Sequence, residues 1–266
     1  MIIKRKLLLF TAILVLTSLS YLANAQFYVG AEVGGNENYL ITNVSNLIST
    51  EYVPINGFNI GVPVEYKVND WFSLKSTPNF IQKNYQLQRS GFYQGVYQES
   101  KNGYLQIPVS AQFSFGGRAL KGYLNLGGYG AYWASSHIKG AFANPLNYPA
   151  YGTSNTAYYS VTVFDYETPY YYDEKYQFNS TKDNRFEFGV YAGLGISYQV
   201  TKNYKVFTEF KYYDALTDQQ KNYELEQVPR YNETGSISIG FLYQLKTKYN
   251  KFKNHRFKNH TLQVNN

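Results

Sequence analysis

The chain has 266 residues, a formal net charge of +7, 19% aromatic residues and no cysteine, so disulfides and thiolate metal sites are excluded. The positive charge is concentrated at the two ends of the chain. Between Gln26 and Leu245 there are 16 basic and 18 acidic residues, and this part of the chain therefore lacks the basic surface that nucleic-acid binding requires.

Residues 1–25 have the pattern of a secretory signal peptide. Lys4, Arg5 and Lys6 precede an apolar run from Leu7 to Leu16, and the small-x-small sequence 23–25 supplies a cleavage site. After this segment, no run approaches the roughly 20 apolar residues that a membrane-spanning helix needs. If the exported chain crosses a membrane, we expect it to cross with strands.

Apolar and polar residues alternate in eight segments between Gln26 and Leu245. This period of two is typical of a β-strand with one apolar face and one polar face. The segments have about the length that a membrane-spanning strand needs. In chain order they are Phe27–Gly35, Gly57–Val68, Phe72–Gln86, Gly103–Phe115, Lys121–Ala134, Arg185–Val200, Tyr204–Tyr213 and Ser236–Leu245.

The connections between these segments alternate in length. Short turns at 69–70, 116–120 and 201–203 separate long loops at about 37–56, 87–102, 136–183 and 215–234. In outer-membrane barrels the periplasmic turns are short and the extracellular loops are long. The sequence therefore predicts an all-β fold, an eight-stranded antiparallel up-and-down transmembrane β-barrel of the outer membrane, over residues 26–245.

In this prediction the two faces of each segment have different surroundings. In a membrane barrel the apolar faces contact lipid and the polar faces fill the lumen. The alternative is a soluble lipocalin-like barrel that binds small hydrophobic ligands, with its apolar faces inside. Under the membrane reading, charged residues from several strands form a polar network in the lumen: Glu32, Glu65, Lys67, Lys75, Glu187, Glu209 and Lys211.

Several stretches also carry a family resemblance. They include FYVGAEVGG after the signal peptide, YLQIPVSAQFSFG in the fourth segment and GSISIGFLYQL in the eighth. The chain resembles the small eight-stranded outer-membrane barrels of Bacteroidetes, a group with PorT-like members and with the architecture of an OmpA-like membrane domain. The resemblance implies the barrel fold. It also implies an alternative function, as an accessory component of a protein-secretion system with a periplasmic partner.

The third long loop and the basic tail are the candidate contact regions. Tyrosines supply rigid amphipathic contact area, so we expect loop 136–183 to bind a protein or a glycan, or else to form a lid over the barrel mouth. Residues 246–266 form a basic tail that is suited to a periplasmic partner or to anionic lipid. The loop residues are Tyr158, Tyr159, Tyr166, Tyr170, Tyr171 and Tyr172, and the tail residues are Lys251, Lys253, Arg256 and Lys258.

One sequence pattern raises the possibility of catalysis. Ser135 and His137 can share a strand face, whereas Ser136 points to the other one. A serine nucleophile also needs an acid that orients the histidine, and the sequence places none nearby. We therefore predict a structural or surface-binding protein that is not an enzyme and uses no cofactor or metal.

Overall fold

The computed structural model describes residues 26–42, 50–90, 95–142, 170–223 and 228–245. These residues form a single antiparallel sheet of twelve strands. The strands are β1 (Gln26–Thr42), β2 (Thr50–Gly61), β3 (Val64–Lys67), β4 (Phe72–Ser76), β5 (Asn79–Gln82), β6 (Asn84–Arg89), β7 (Tyr97–Gly116), β8 (Leu120–Phe142), β9 (Tyr170–Lys175), β10 (Phe186–Gln199), β11 (Tyr204–Ala215) and β12 (Arg230–Leu245).

The sheet closes on itself as a barrel. A continuous ring of paired strands runs β1–β12–β11–β10–β8–β7–β4–β3 and returns to β1. Closure pairs the strands around the ring, which leaves few of the unpaired edges that a membrane cannot accommodate. The predicted antiparallel barrel is confirmed, but the sheet has twelve strands rather than eight.

Interruptions within three of the passes around the ring account for the larger count. The second pass is divided into β2 and β3 at Pro63, and the third into β4, β5 and β6 at Pro78 and Lys83. Proline has no N–H to donate to the sheet. The pairing nevertheless continues around Pro63, because its carbonyl accepts a hydrogen bond from the Gly30 N–H at 3.0 Å. Strand β9 extends the pass of β10 along β8.

The short connections all lie at one end of the barrel, which we call the short-turn end. They join β3 to β4, β7 to β8 and β10 to β11. The side chain of Asn69 accepts hydrogen bonds from two backbone N–H groups in the first turn, and Gly116 opens the second with φ of +114°. The pairing of Phe27 with Leu245 places the beginning of β1 and the end of β12 at this end of the barrel too. We call the opposite end the long-loop end.

Several strands continue farther toward the long-loop end than the sequence predicts. Strand β1 ends at Thr42 rather than Gly35, and β8 ends at Phe142 rather than Ala134. Strand β7 begins at Tyr97 rather than Gly103. The predicted loop boundaries at this end are therefore wrong. Apolar alternation stops where the outer face becomes polar, whereas backbone pairing continues beyond that level.

The apolar faces of the strands point outward. Phe58, Ile60 and Val62 are each about half exposed, while Asn59 and Glu65 on the other face are 2% exposed. The inside of the barrel is filled with polar and tyrosine side chains. The lipocalin-like alternative is therefore wrong, because it requires an apolar cavity on the side where the structure has a filled polar interior.

Inward-facing glycines make room for large interior side chains. A Cβ atom added at Gly195 would lie 2.3 Å from Cζ of Tyr123, a side chain that is itself buried. We expect Gly195→Ala to destabilise the barrel by about 1–3 kcal/mol, the typical effect of overpacking. Urea unfolding in lipid vesicles measures this change. The matched control is Gly235→Ala, since nothing lies within 4 Å of a Cβ at that position, and equal midpoints for the two variants would contradict the explanation.

Candidate functional site

Four ion pairs cross the interior of the barrel, and we call them the interior ion pairs. Both partners of each pair are buried or nearly so, and each pair joins passes of the chain that are not neighbours in the ring. Such pairs link separate parts of the wall through the interior and fill the lumen with side chains. They are Lys75–Glu209 at 2.5 Å, Lys205–Glu65 at 2.5 Å, Lys83–Glu187 and Lys211–Glu32.

Among the described interior carboxylates, Glu209 accepts hydrogen bonds from the largest number of side chains. Besides its ion pair with Lys75, it accepts hydrogen bonds from the Tyr191 hydroxyl at 2.5 Å and the Asn125 amide at 2.6 Å. The ammonium of Lys75 also lies 4.7 Å from the ring centroid of Phe207. A buried carboxylate with this many donors is fully compensated, and the group blocks the lumen at this level.

Six of the seven residues predicted for the lumen network lie in this interior: Glu32, Glu65, Lys75, Glu187, Glu209 and Lys211. Lys67 does not. It is the last residue of β3, and at the short-turn mouth it binds the exposed carboxylate of Asp70 at 2.7 Å. Lys67 lies on the inward-facing side of β3, as predicted, but the strand ends at this residue and the side chain is partly exposed to water.

Sequence reasoning missed two members of the interior ion pairs, Lys83 and Lys205. Residues an even number apart lie on the same face of a strand. Lys83 is therefore predicted on the face of Lys75, and Lys205 on the face of Glu209. On the inward face of the third segment, the apolar residue Ile81 separates Lys83 from the polar residues before it. On the inward face of the seventh segment, Phe207 separates Lys205 from Glu209. These apolar residues hide the continuation of the two polar faces.

Two segments from different loops close the long-loop end of the barrel, residues 176–183 and 218–221, and we call them the mouth cap. A β-bridge joins Asp183 to Gln220. The Gln219 side chain is buried and donates a hydrogen bond to the Tyr104 hydroxyl in the lumen at 3.0 Å. Tyr176 stacks on Trp133 with ring centroids 5.9 Å apart. This part of the third loop therefore forms the lid that the sequence left as an alternative.

Strands β7, β8 and β9 continue past the apolar belt as a three-stranded wall, which we call the projecting wall. Its outer face carries two rows of charged residues. The first row is Lys101, His137 and Lys175, and the second is Glu99, Lys139 and Asp173.

His137 lies next to an acid that sequence reasoning did not find. Its Nε2 atom is 2.5 Å from Oδ1 of Asp173, and this hydrogen bond lowers the pKa of the Asp173 carboxyl. The expectation that no acid lies near His137 is therefore wrong. Asp173 is 36 residues away in sequence and comes close to His137 only because β9 pairs with β8. A local sequence pattern does not show this pairing. Ser135 is exposed on the same strand two residues from His137, and Ser136 is buried.

The predicted contact tyrosines have different surroundings in the structure. Tyr170 and Tyr171 are exposed on β9, with Tyr171 67% exposed. Tyr172 is less exposed, and its hydroxyl donates a hydrogen bond across the wall to the Gln98 side chain of β7 at 3.0 Å. Three other predicted tyrosines lie outside the described residues: Tyr158, Tyr159 and Tyr166. The predicted signal peptide, residues 1–25, lies outside them too and stays a prediction.

The tail residues Lys251, Lys253, Arg256 and Lys258 also lie outside the described residues, so a periplasmic partner at the tail stays a prediction. In the part of the chain that the structure describes, no three His, Cys, Asp or Glu residues are grouped as metal ligands. Within the same residues, no helical segment has the length and hydropathy of a single-helix membrane span.

Comparison with protein families identifies the barrel. A model of the outer membrane protein beta-barrel domain matches residues 23–220. The chain belongs to this family. It is an outer-membrane β-barrel protein, and the half-exposed apolar belt is the surface that contacts lipid. No curated protein sequence matches the chain.

Solved structures of outer-membrane barrels resemble the fold at low sequence identity. Neisserial surface protein A is 14% identical with a TM-score of 0.41, and the match covers 84% of this chain and 99% of that one. OprG of Pseudomonas aeruginosa is 12% identical with a TM-score of 0.46, covering 84% and 97%. Outer membrane protein W of E. coli is 11% identical with a TM-score of 0.43, covering 83% and 98%.

Proposed function

We propose that this protein is a closed, non-catalytic barrel whose projecting wall binds a protein or a glycan outside the cell. The observation that carries the proposal is the combination of a blocked lumen with a wall that extends well past the membrane. A barrel that neither conducts nor catalyses acts through its surface, and the projecting wall contains the two longest strands of the described sheet, β7 and β8.

The length of the wall supports this role. Strand β8 has 23 residues, whereas about 9–11 residues cross the membrane. On β7 the apolar outer face ends at Leu105, and the next outward charges are Lys101 and Glu99. Exposed tyrosine beside lysine and carboxylate side chains is a composition suited to polar ligands, because tyrosine offers contact area at a small entropic cost.

Binding is tested on cells that carry the full chain in their outer membrane, applied to arrays of immobilised glycans and of host matrix proteins. For any array component that the protein binds, we expect Tyr171→Ser with Lys175→Gln to reduce binding about tenfold or more. The matched control is Tyr39→Ser with Lys202→Gln, which removes an exposed tyrosine and an exposed lysine elsewhere. Equal losses in both variants, or no binding to either array, would contradict the proposal.

The closed lumen gives a second prediction. In the described residues, the interior ion pairs fill the lumen and the mouth cap covers its long-loop end, and the interior of a barrel of this size is filled by side chains. We expect the purified protein to produce no stable conductance steps in planar lipid bilayers, at protein concentrations at which a trimeric general porin gives many. Regular steps from the refolded protein would show that the barrel conducts.

The absence of catalysis is tested at His137, the one position where a serine, a histidine and an acid come near each other in the described wall. We expect overexpression to leave the mass spectrum of lipid A unchanged. A change in lipid A that His137→Ala abolishes would make the protein an enzyme.

A further inference from the structure

The short-turn end of the barrel contains a polar cavity of about 490 Å³, which we call the vestibule. It is lined by inward-facing side chains of the strands and by two of the short turns. The ion pair of Lys205 with Glu65 lies on its inner side, and the Lys205 ammonium sits 4.5 Å from the ring centroid of Tyr28. The volume lies within the range of about 300–1,000 Å³ that is usual for ligand sites.

The vestibule has an excess of positive charge. Its two carboxylates are already paired, Glu65 with Lys205 and Asp70 with Lys67. The hydrogen bond from Lys67 lowers the pKa of Asp70, so this carboxyl is ionised at neutral pH. Two further cations line the cavity, Lys121 and Arg118. Among the described residues, neither has a carboxylate within ion-pair distance, and the Lys121 ammonium donates instead to the backbone carbonyl of Asp70 at 2.9 Å.

The position of these cations restricts what can bind them. Lys121 and Lys205 belong to the inward-facing phase of their strands, whereas lipid contacts the outward-facing phase. Headgroups at the outer surface of the wall therefore do not reach Lys121 or Lys205, whereas Arg118 is exposed in the turn between β7 and β8 at the rim of the vestibule. The chain's own tail is also unsuited, because residues 246–266 contain six basic residues and no acidic residue.

We propose that the vestibule binds an acidic peptide segment of another protein, which enters from the aqueous phase at the short-turn end. Carboxylates of such a segment pair with Arg118 and Lys121, and the guanidinium can hold one of them through two parallel hydrogen bonds. Trp71 lies at the edge of the cavity and is 59% exposed, which gives the segment an aromatic surface. This site is separate from the projecting wall and stands whether or not that wall binds a ligand.

Trp71 provides the measurement. The chain has two tryptophans, and the other, Trp133, is buried beside the mouth cap at the opposite end. The probe is a hexapeptide of alternating Asp and Gly that carries a dinitrophenyl quencher, titrated into the full chain in lipid nanodiscs. We expect saturable quenching that weakens as salt increases, because charge pairing is screened. We expect Arg118→Gln with Lys121→Gln to raise Kd at least tenfold.

Two further variants decide where the peptide binds. Lys251→Gln with Lys253→Gln removes the same number of charges from the tail and is expected to leave Kd within twofold. Ser114→Phe fills the vestibule without changing its charge and is expected to weaken binding as much as the loss of the two cations. All variants are first checked for the gel shift between unheated and boiled samples, which reports a folded barrel.

The proposal is overturned by any of three results. One is the absence of saturable quenching in the unmodified protein. Another is equal weakening by the tail variant and by the Arg118 and Lys121 variant, which would indicate attraction to basic charge in general. The third is competition by inorganic phosphate with the same affinity as the peptide, which would indicate a site for a small anion only.

Discussion

Replacing Lys83 with methionine is expected to destabilise the folded barrel by about 3–5 kcal/mol, the usual effect of removing one partner of a buried ion pair. Lys83 is fully buried and pairs with Glu187 across the lumen. After the substitution, Glu187 remains buried without a positive partner. Methionine fills a similar volume, so little of the loss comes from a cavity.

The surroundings of the pair explain why hydrogen bonds do not replace the lysine. Glu187 also accepts hydrogen bonds from the Tyr129 hydroxyl at 2.8 Å and the Asn232 amide at 2.7 Å, but these neutral donors do not cancel its charge. The Lys83 ammonium lies 4.8 Å from the ring centroid of Tyr129 and 5.1 Å from that of Tyr104. Removing it therefore also ends two cation–π contacts.

The free energy of unfolding is measured by urea titration of the protein in lipid vesicles, read by the heat-dependent gel shift. The double variant Lys83→Met with Glu187→Gln is expected to recover most of the loss, because it leaves no buried charge. Lys202→Met is the control at an exposed turn position, with an expected change within about 0.5 kcal/mol. If the double variant is no more stable than the single one, the unpaired charge is not the cause.

The sequence allows a prediction of which strand face points outward, because the alternation of apolar and polar residues is a local property. Alternation along β2 assigns Phe58 and Ile60 to one face and Asn59 to the other without reference to any other strand. The signal-like beginning of the chain and the alternating loop lengths then indicated which face meets lipid. The structure has those faces as expected, with Ile60 55% and Asn59 2% exposed.

Features that depend on pairing between strands were not predictable in the same way. Lys83 and Asn84 are adjacent and both buried, which a regular strand does not allow, and the break between β5 and β6 makes it possible. The partners Lys83 and Glu187 are 104 residues apart in sequence. Which lysine meets which carboxylate depends on the stagger of strands around the ring, and a single sequence does not contain that stagger in readable form.

The mouth cap depends on a meeting of two loops. Tyrosines and phenylalanines before β10 are compatible with either a lid or an exposed binding surface. Phe178 packs edge-on against Trp133 at 4.9 Å, and Asn184 donates through its backbone N–H to Gln219 at 3.0 Å. Those contacts exist only once β8, β10 and β11 have placed the loops side by side.

The outward apolar face leads to the second large effect, at Leu194. This residue is 58% exposed on β10, between Leu124 of β8 and Phe210 of β11 in the pairing register. In water such a leucine contributes little, and arginine there would be tolerated. In the belt of a membrane barrel, we expect Leu194→Arg to destabilise the inserted state by about 2–4 kcal/mol, because a guanidinium near the bilayer midplane loses its hydration.

Leu216→Arg is the matched control for this experiment. Leu216 is 64% exposed and follows the end of β11, and its N–H donates to the Phe188 carbonyl near the long-loop edge of the apolar belt. Near the interface the penalty for arginine is small, because the side chain can extend to water. We expect its free energy of unfolding in lipid vesicles to stay within about 0.5 kcal/mol of the unmodified protein, while Leu194→Arg also lowers the yield of heat-shifted barrel during refolding. If both variants refold and unfold like the unmodified protein, the apolar face of β10 contacts water rather than lipid.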